Sequence, residues 1–150
     1  MESFKTDVEG KTSFVYQPME HEAEKASNSY LMSLFAVMVG LPIPIINLIA
    51  TFIFWINNKK GTYFVRWHCM HALLSQFSLL SVNSISFYWS ISVIFYSTPM
   101  SNAWIAWIMT AIIFNLAEIA ITIQAAIKTR KGQHVYWTFF GPLTDIIVKP

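Results

Sequence analysis

The chain has 150 residues, of which 55% are hydrophobic and only 12% are charged, and its formal net charge is +2. Such a length allows a single domain, and the excess of apolar residues is not typical of a soluble protein. The small net charge and the absence of a basic tract argue against nucleic acid as a partner. The single cysteine, Cys69, excludes an internal disulfide.

Two long stretches of the sequence contain no Asp, Glu, Lys or Arg. They run from Ala26 to Asn58 and from Trp67 to Ala117, and beyond Glu118 no charge follows until Lys128. A soluble protein of this size needs charged side chains on the surface that faces water, whereas a surface that faces lipid excludes them. The sequence therefore predicts an integral membrane protein that has the lipid bilayer as its first partner.

The two ends of the chain are predicted to lie outside this membrane part. Residues 1–25 hold six carboxylates and three lysines without an apolar core, so they resemble neither a signal peptide nor an organelle transit peptide. We predict an acidic tail over residues 1–27 that is disordered or partly helical. Residues 28–128 are predicted to form a transmembrane helical bundle, and residues 129–150 a cytoplasmic tail rich in aromatic and basic side chains.

Glycines and prolines divide the apolar part into four helical segments. Pro42 and Pro44 cannot lie inside an uninterrupted helix, since each of them removes a backbone donor. The third segment is longer than the hydrocarbon core of a bilayer, which is about 30 Å thick. The predicted segments are Asn28–Gly40, Ile45–Asn58, Tyr63–Tyr96 and Ala103–Lys128, with a short turn over residues 97–102.

Positive charge predicts the orientation of the last two segments. One basic cluster lies in residues 59–66 before the third segment, and another lies in residues 128–131 after the fourth. The turn over residues 97–102 carries no charge. Because cytoplasmic loops are enriched in Lys and Arg, the third and fourth segments are predicted to form a transmembrane hairpin with its turn outside.

The first two segments allow two arrangements. Residues 26–58 are too few for two full spans and a turn, but they suffice for one span kinked at Pro42 and Pro44, which would put the acidic tail outside. Alternatively they form a hairpin of two short helices, which puts both termini inside. Non-helical backbone at membrane depth needs protein cover, so the hairpin requires the other two segments to shield its turn.

Polar side chains on the last two segments predict a polar layer near the middle of the membrane. The three-and-four spacing places Asn83 and Ser86 on one helix face and Asn115, Glu118 and Thr122 on another. Glu118, at the centre of the layer, has three interpretations. In the first, Glu118 is protonated, or hydrogen-bonded to Asn83 and nearby serines between the helices. In the second, it binds a proton, a cation or a partner's polar segment, and in the third it faces the headgroups in a shorter or tilted helix.

His68 and His71 lie three residues apart on one face at the start of the third segment, close to Arg66. A zinc site would need a third and a fourth ligand, and the predicted depth of Glu118 places it well away from His71. We therefore expect no metal and no cofactor. A structural role is favoured, in which the histidines bond backbone carbonyls of the neighbouring loop or tail, and His134 is assigned to the tail.

The phrase Phe-Val-Arg-Trp-His-Cys-Met-His-Ala-Leu-Leu at residues 64–74 resembles the opening of a helix in a widespread family of small bacterial membrane proteins. Phrases at residues 44–49, 53–60 and 125–133 are similar to others of that family, in the same order. The family is related to the channel-like subunit of the chloroplast inner-envelope protein translocon, and magnetosome membrane proteins also belong to it. The central phrase supplies the predicted family interface, which comprises Arg66, His68, His71, Ala72 and Leu73.

This resemblance implies an all-α integral membrane bundle of four helical segments, a short proline-broken hairpin and a full transmembrane hairpin. It also implies a multi-pass protein of the bacterial cytoplasmic (inner) membrane, without catalytic activity and associated with protein transport or membrane-protein assembly. The family usually has Gln where this chain has His71, and it assigns no role to Glu118.

We therefore expect a non-enzymatic subunit of a larger complex, in contact with other integral membrane proteins and associated with protein translocation or assembly. The alternative is a small homo-oligomeric channel or transporter that uses the polar layer around Glu118. An enzyme that uses His68, His71 or Glu118 ranks last, because no nucleophile and base occur at a recognisable spacing.

Overall fold

The computed structural model describes residues 4–6, 12–14, 17–40, 45–96 and 99–149 of the chain. This part of the chain is α-helical apart from one ribbon of two antiparallel strands, in which β1 and β2 pair with Phe4 opposite Phe14. The elements in chain order are β1 (Phe4–Thr6), β2 (Thr12–Phe14), α1 (Glu20–Gly40), α2 (Ile45–Asn58), α3 (Tyr63–Phe95), α4 (Asn102–Arg130) and α5 (Gly141–Ile147).

Helix α1 begins at Glu20, eight residues before the predicted start at Asn28, and the ribbon precedes it, so the N-terminal region contains more structure than the predicted tail. The backbone N–H of Met19 donates to Oε2 of Glu22 at 2.8 Å, a contact that satisfies one of the unpaired donors at a helix start. Acidic side chains in the first turn also interact favourably with the positive end of the helix dipole. The carboxylates interpreted as a tail therefore start a helix.

Helices α1 and α2 pack on each other, and the choice between a hairpin and one kinked span stays a prediction. The double-proline break at Pro42 and Pro44 lies outside the described residues, as do Ser97 and Thr98 of the predicted outer turn. Helix α1 also packs on α3 and α4. One contact to α4 is the hydrogen bond that the Ser27 hydroxyl donates to the carbonyl of Ala126 at 2.9 Å.

Helices α3 and α4 are long and apolar enough to cross a membrane, and among the described residues they are the two helices that meet this criterion. They have 33 and 29 residues, or about 50 and 44 Å at 1.5 Å per residue. The Ser101 hydroxyl caps α4 by accepting from the N–H of Trp104 at 3.1 Å. Lys128 and Arg130 in the last turn suit the negative end of the helix dipole.

The buried side chains lie at one end of the molecule. Almost every residue of α3 from Tyr63 to Gln76 is buried or half-buried, and Leu79 is the last buried residue of this helix. Two apolar clusters form this core. One cluster contains Tyr30, Ala72, Ala125, Ala126 and Val135, and the other contains Tyr63, Trp67, Met70 and Val148.

Residues 133–149 complete this core, although they were predicted only as part of a tail. The chain turns at Gly132, whose φ of 74° suits glycine, and then runs into α5, which packs on α3. The indole N–H of Trp67 donates to Oδ1 of Asp145 at 2.6 Å. Arg66 donates to the carbonyl of Lys149 at 3.2 Å. These two contacts hold the C-terminal half of α5 and the residues after it on α3. The cytoplasmic side of this segment stays a prediction.

The substitution Gly141→Ala should loosen α5 from the core. A Cβ at this position would lie 2.5 Å from Cζ of Tyr136, far inside van der Waals contact. Overpacking of this kind costs about 1–3 kcal/mol. We expect faster amide hydrogen exchange in α5 and a lower midpoint of thermal unfolding in detergent. Ile146→Ala, at a position that is 71% exposed on the same helix, is the control. Unchanged exchange in Gly141→Ala would contradict the described contact.

Candidate functional site

The first turns of α3 bring three ring side chains into the core. Trp67, His68 and His71 are each no more than 1% exposed. Trp67 and His71 are four residues apart, so their rings stack, with centroids 4.8 Å apart and planes inclined by 16°. His68 and His71 are three residues apart and face α1. The helical spacing therefore presents both imidazoles to one side chain of α1, Tyr30.

The hydroxyl of Tyr30 bridges the two histidines. It lies 2.9 Å from Nδ1 of His68 and 3.1 Å from Nδ1 of His71. A phenol has a single hydrogen to donate, so one imidazole accepts it and the other donates its own Nδ1–H to the phenol oxygen. The two histidines therefore carry different tautomers, and the arrangement satisfies three polar groups of fully buried side chains.

His134 extends this network from the C-terminal segment. Its Nδ1 lies 3.3 Å from Nε2 of His68, and the ring of Trp67 covers it with centroids 4.3 Å apart. The hydrogen-bonded series thus runs from His71 through Tyr30 and His68 to His134. At its far end, the buried Nε2 of His71 has no hydrogen-bond partner among the described residues. We refer to these four residues as the histidine–tyrosine network.

A second polar contact fixes the same segment. The carboxylate of Asp145 accepts from the indole of Trp67 through Oδ1, and from the hydroxyl of Tyr136 through Oδ2 at 3.2 Å. Partial burial, the negative charge of Asp145 and the hydrogen bond to it raise the pKa of Tyr136. Tyr136 therefore stays a protonated donor, and the Asp145 carboxylate is held between two aromatic side chains.

The residues of the predicted polar layer on α3 and α4 make three separate sets of contacts. Asn83 and Asn115 exchange two hydrogen bonds, of 3.1 and 2.8 Å between amide nitrogen and amide oxygen. The hydroxyl of Ser86 accepts from the indole of Trp107 at 3.0 Å. Glu118 does not join them. The Glu118 carboxyl group contacts the side chains of Ser75 and Thr122 instead, and the Thr122 hydroxyl lies 3.5 Å from Oε1.

The residues of the predicted family interface lie together at the base of α3. Ala72 is fully buried, and Leu73 packs as a half-buried side chain against the cluster around Trp67. The histidines bond the Tyr30 hydroxyl instead of the expected backbone carbonyls, because α1 packs on α3 and places the Tyr30 side chain beside them in the core. Arg66 makes the contact to a backbone carbonyl, and its guanidinium also lies 5.9 Å from the ring centroid of Tyr63.

Three residues of this site were missed by the sequence reasoning. Tyr30, His134 and Asp145 contact residues of α3 that are 38, 66 and 78 positions away in the chain. Helical periodicity reports neighbours three or four positions apart and contains no signal for contacts at such separations. The one available signal was chemical, since a polar ring in an apolar core needs a partner of its own.

A cavity of about 540 Å³ lies beside the network, between α3, α4 and residues 136–140. Glu118 and Ser78 contribute to its wall, and the remaining lining is mostly aromatic. Within the described part of the chain, no three His, Cys, Asp or Glu side chains are placed to share a metal ion. The absence of a metal and of a cofactor stays a prediction.

The substitution Tyr30→Phe should destabilise the core. It removes the hydroxyl and leaves two buried imidazole nitrogens without a partner, at a cost of about 1–3 kcal/mol for each unsatisfied group. The measurement is the midpoint of thermal unfolding in detergent. Tyr88→Phe is the matched control, because Tyr88 is 70% exposed on α3 and should tolerate the change. Equal midpoints for the two variants would contradict the bridging role of the hydroxyl.

Docking of residues 133–149 should weaken in mild acid because of His134. Burial lowers the pKa of His134 from 6.5 to about 4. An undocked His134 therefore takes up a proton as the pH falls below 6.5, while the docked ring stays neutral down to about 4. The undocked form binds more protons in this window, so docking is strongest above it and is lost progressively as the pH falls through it.

This pH dependence is measured as the protection of α5 amides from hydrogen exchange at about pH 7 and about pH 5, corrected for the intrinsic rates. Because His68 faces His134 and His71 lies on the same network, the contribution of His134 is the difference between the wild type and His134→Gln. We expect the wild type to lose more protection than the variant. Equal losses would contradict the assigned burial of the ring.

Comparison with known proteins gives one family. A model of the magnetosome magnetite crystal formation protein family matches residues 26–144, a range that contains α2, α3, α4 and the histidine–tyrosine network. No curated protein and no solved structure matches the chain.

Proposed function

This chain belongs to the magnetosome magnetite crystal formation protein family, and from that premise we propose that it acts in magnetite crystal formation as a non-enzymatic component of a membrane complex. The family and the two long apolar helices together indicate a membrane protein. The finer assignments are part of the proposal. In this proposal the chain is a multi-pass protein of the bacterial cytoplasmic (inner) membrane. It folds as a four-helix bundle and has other integral membrane proteins as partners.

The observation that carries this proposal is the exposed apolar surface of α3 and α4. Beyond Leu79 the side chains of α3 are exposed or half-buried, and most of α4 between Ile105 and Leu116 is exposed as well. Water is an unfavourable solvent for such a surface, and apolar area of this extent marks a contact with lipid or with other proteins. The apolar side chains with the highest exposed fractions on these two helices are Phe95, Ile94, Tyr88, Ile113 and Leu116.

A helix of a partner protein would cover this exposed apolar surface. The small chain buries its own side chains mainly at the base of α3, where α1, α4 and α5 surround it. The far halves of α3 and α4 contact each other through the Asn83–Asn115 pair and the contact of Trp107 with Ser86. Helices in membranes associate by close packing and a few polar contacts, so these halves suit contact with other transmembrane helices.

Two further hypotheses come from the sequence. Protein translocation or membrane-protein assembly is implied by the resemblance to the translocon-related family. A homo-oligomeric channel or transporter is favoured by one observation, the position of Glu118 in the wall of a cavity.

Native co-purification tests the proposal. We expect the tagged full-length protein, extracted from its host in mild detergent, to elute with other integral membrane proteins at a mass above that of any homo-oligomer. We also expect deletion of its gene to change the size or number of magnetite crystals, with restoration by the wild-type chain. The matched control is a second tagged multi-pass protein from the same membrane. A homo-oligomer alone, with unaltered crystals, would contradict the proposal and leave the channel hypothesis.

A further inference from the structure

The cavity beside Glu118 has the size and the lining of a small-molecule site. Its volume of about 540 Å³ lies within the range of roughly 300–1,000 Å³ that is usual for such sites. It lies between the two apolar helices and residues 136–140. This cavity contains the features from which its ligand is inferred.

The carboxyl group of Glu118 is the ionisable feature of this cavity. The residue is 8% exposed and lies twelve positions before the end of α4 at Arg130, which is about 18 Å along the helix. No Lys or Arg occurs between residues 67 and 127, and among the described residues no cation forms an ion pair with Glu118. An ionised carboxylate in such surroundings is costly unless a positive charge compensates it, so the group holds a proton or pairs with a cationic ligand.

Aromatic rings make up most of the remaining wall. Phe114, Tyr136, Trp137, Phe139 and Phe140 all line the cavity, and the last two rings lie edge to face with centroids 5.1 Å apart. The face of an aromatic ring attracts a cation, most strongly where water is excluded. A carboxylate among aromatic rings complements a positive charge on an apolar body. A bare metal ion, in contrast, prefers several oxygen ligands, and this wall offers only one carboxyl group.

We propose that this cavity binds a lipophilic organic monocation from the bilayer in exchange for the proton of Glu118. The exchange is balanced, since the carboxylic acid releases one proton to water and the carboxylate then neutralises one bound cation. The charge inside the membrane is the same before and after the exchange. This site goes beyond the proposed function, because it requires neither a partner protein nor magnetite.

Binding of tetraphenylphosphonium to the purified full-length protein in detergent or nanodiscs tests the proposal. Tetraphenylborate, which has the same shape and the opposite charge, is the control ligand. Calorimetry in two buffers of different ionisation enthalpy counts the protons released. We expect the cation to bind in preference to the anion, with weaker binding as the pH falls and with release of up to one proton per bound cation.

Two matched pairs of variants locate the site. Glu118→Gln should weaken cation binding by about tenfold or more, since it removes the compensating charge. Glu24→Gln, at an exposed carboxylate that pairs with Arg130, should leave it unchanged. Phe139→Leu should weaken binding several-fold, whereas Phe95→Leu, at the far end of α3, should have no effect. Both of these phenylalanines are more than 70% exposed, so neither change should unfold the protein.

Three results would overturn the proposal. Equal binding of the anion and the cation would identify a groove for apolar lipid tails, and binding without proton release or pH dependence would exclude the exchange. Full affinity in Glu118→Gln would exclude the carboxylate. If that variant does not fold, the proton count of the wild type and the comparison of Phe139→Leu with Phe95→Leu decide. Because the assay uses the isolated protein, its failure leaves the proposed membrane complex intact.

Discussion

The absence of charge along the exposed faces of α3 and α4 is the constraint from which the other features follow. Residues 67–117 contain no Asp, Glu, Lys or Arg, so these helix faces lack the charged side chains that make a surface soluble in water. Lipid satisfies such a surface, but it offers no hydrogen bonds, so polar side chains between the helices must pair with one another. Asn83 pairs with Asn115 for this reason, and Ser86 pairs with Trp107.

The same constraint gives the base of α3 its organisation. Two imidazoles and one indole are buried there, and each needs a partner that a bilayer cannot supply. Tyr30 reaches them from α1, and His134 and Asp145 reach them from the C-terminal segment. The polar contacts therefore tie two distant parts of the chain, α1 and the C-terminal segment, to one helix end. Glu118 differs from these residues, because its nearby hydroxyls would not compensate an ionised carboxylate, and this difference makes the adjoining cavity a candidate site.

Local signals in the sequence predicted the helices but not the contacts between them. From proline, glycine and charge, the predicted bounds of α2 agree with the observed ones. The predicted ends of α3 and α4 lie within two residues of the observed ends. The predicted start of α1 was wrong, because a helix that begins with acidic residues cannot be distinguished by composition from a charged tail. The pairing of Tyr30 with His68 and the docking of α5 had no local signal, since they depend on how the helices pack.

The depth profile of α4 in a bilayer is the most direct test of this account. Nitroxide labels at Ile105, Ile113 and Ile123, each exposed on α4, are introduced one at a time in a Cys69→Ala background of the full chain. In reconstituted bilayers we expect collisions with oxygen to be most frequent at Ile113, and collisions with a water-soluble nickel complex to be least frequent there. If the nickel complex reaches all three positions as readily as oxygen does, α4 faces water and does not span the membrane.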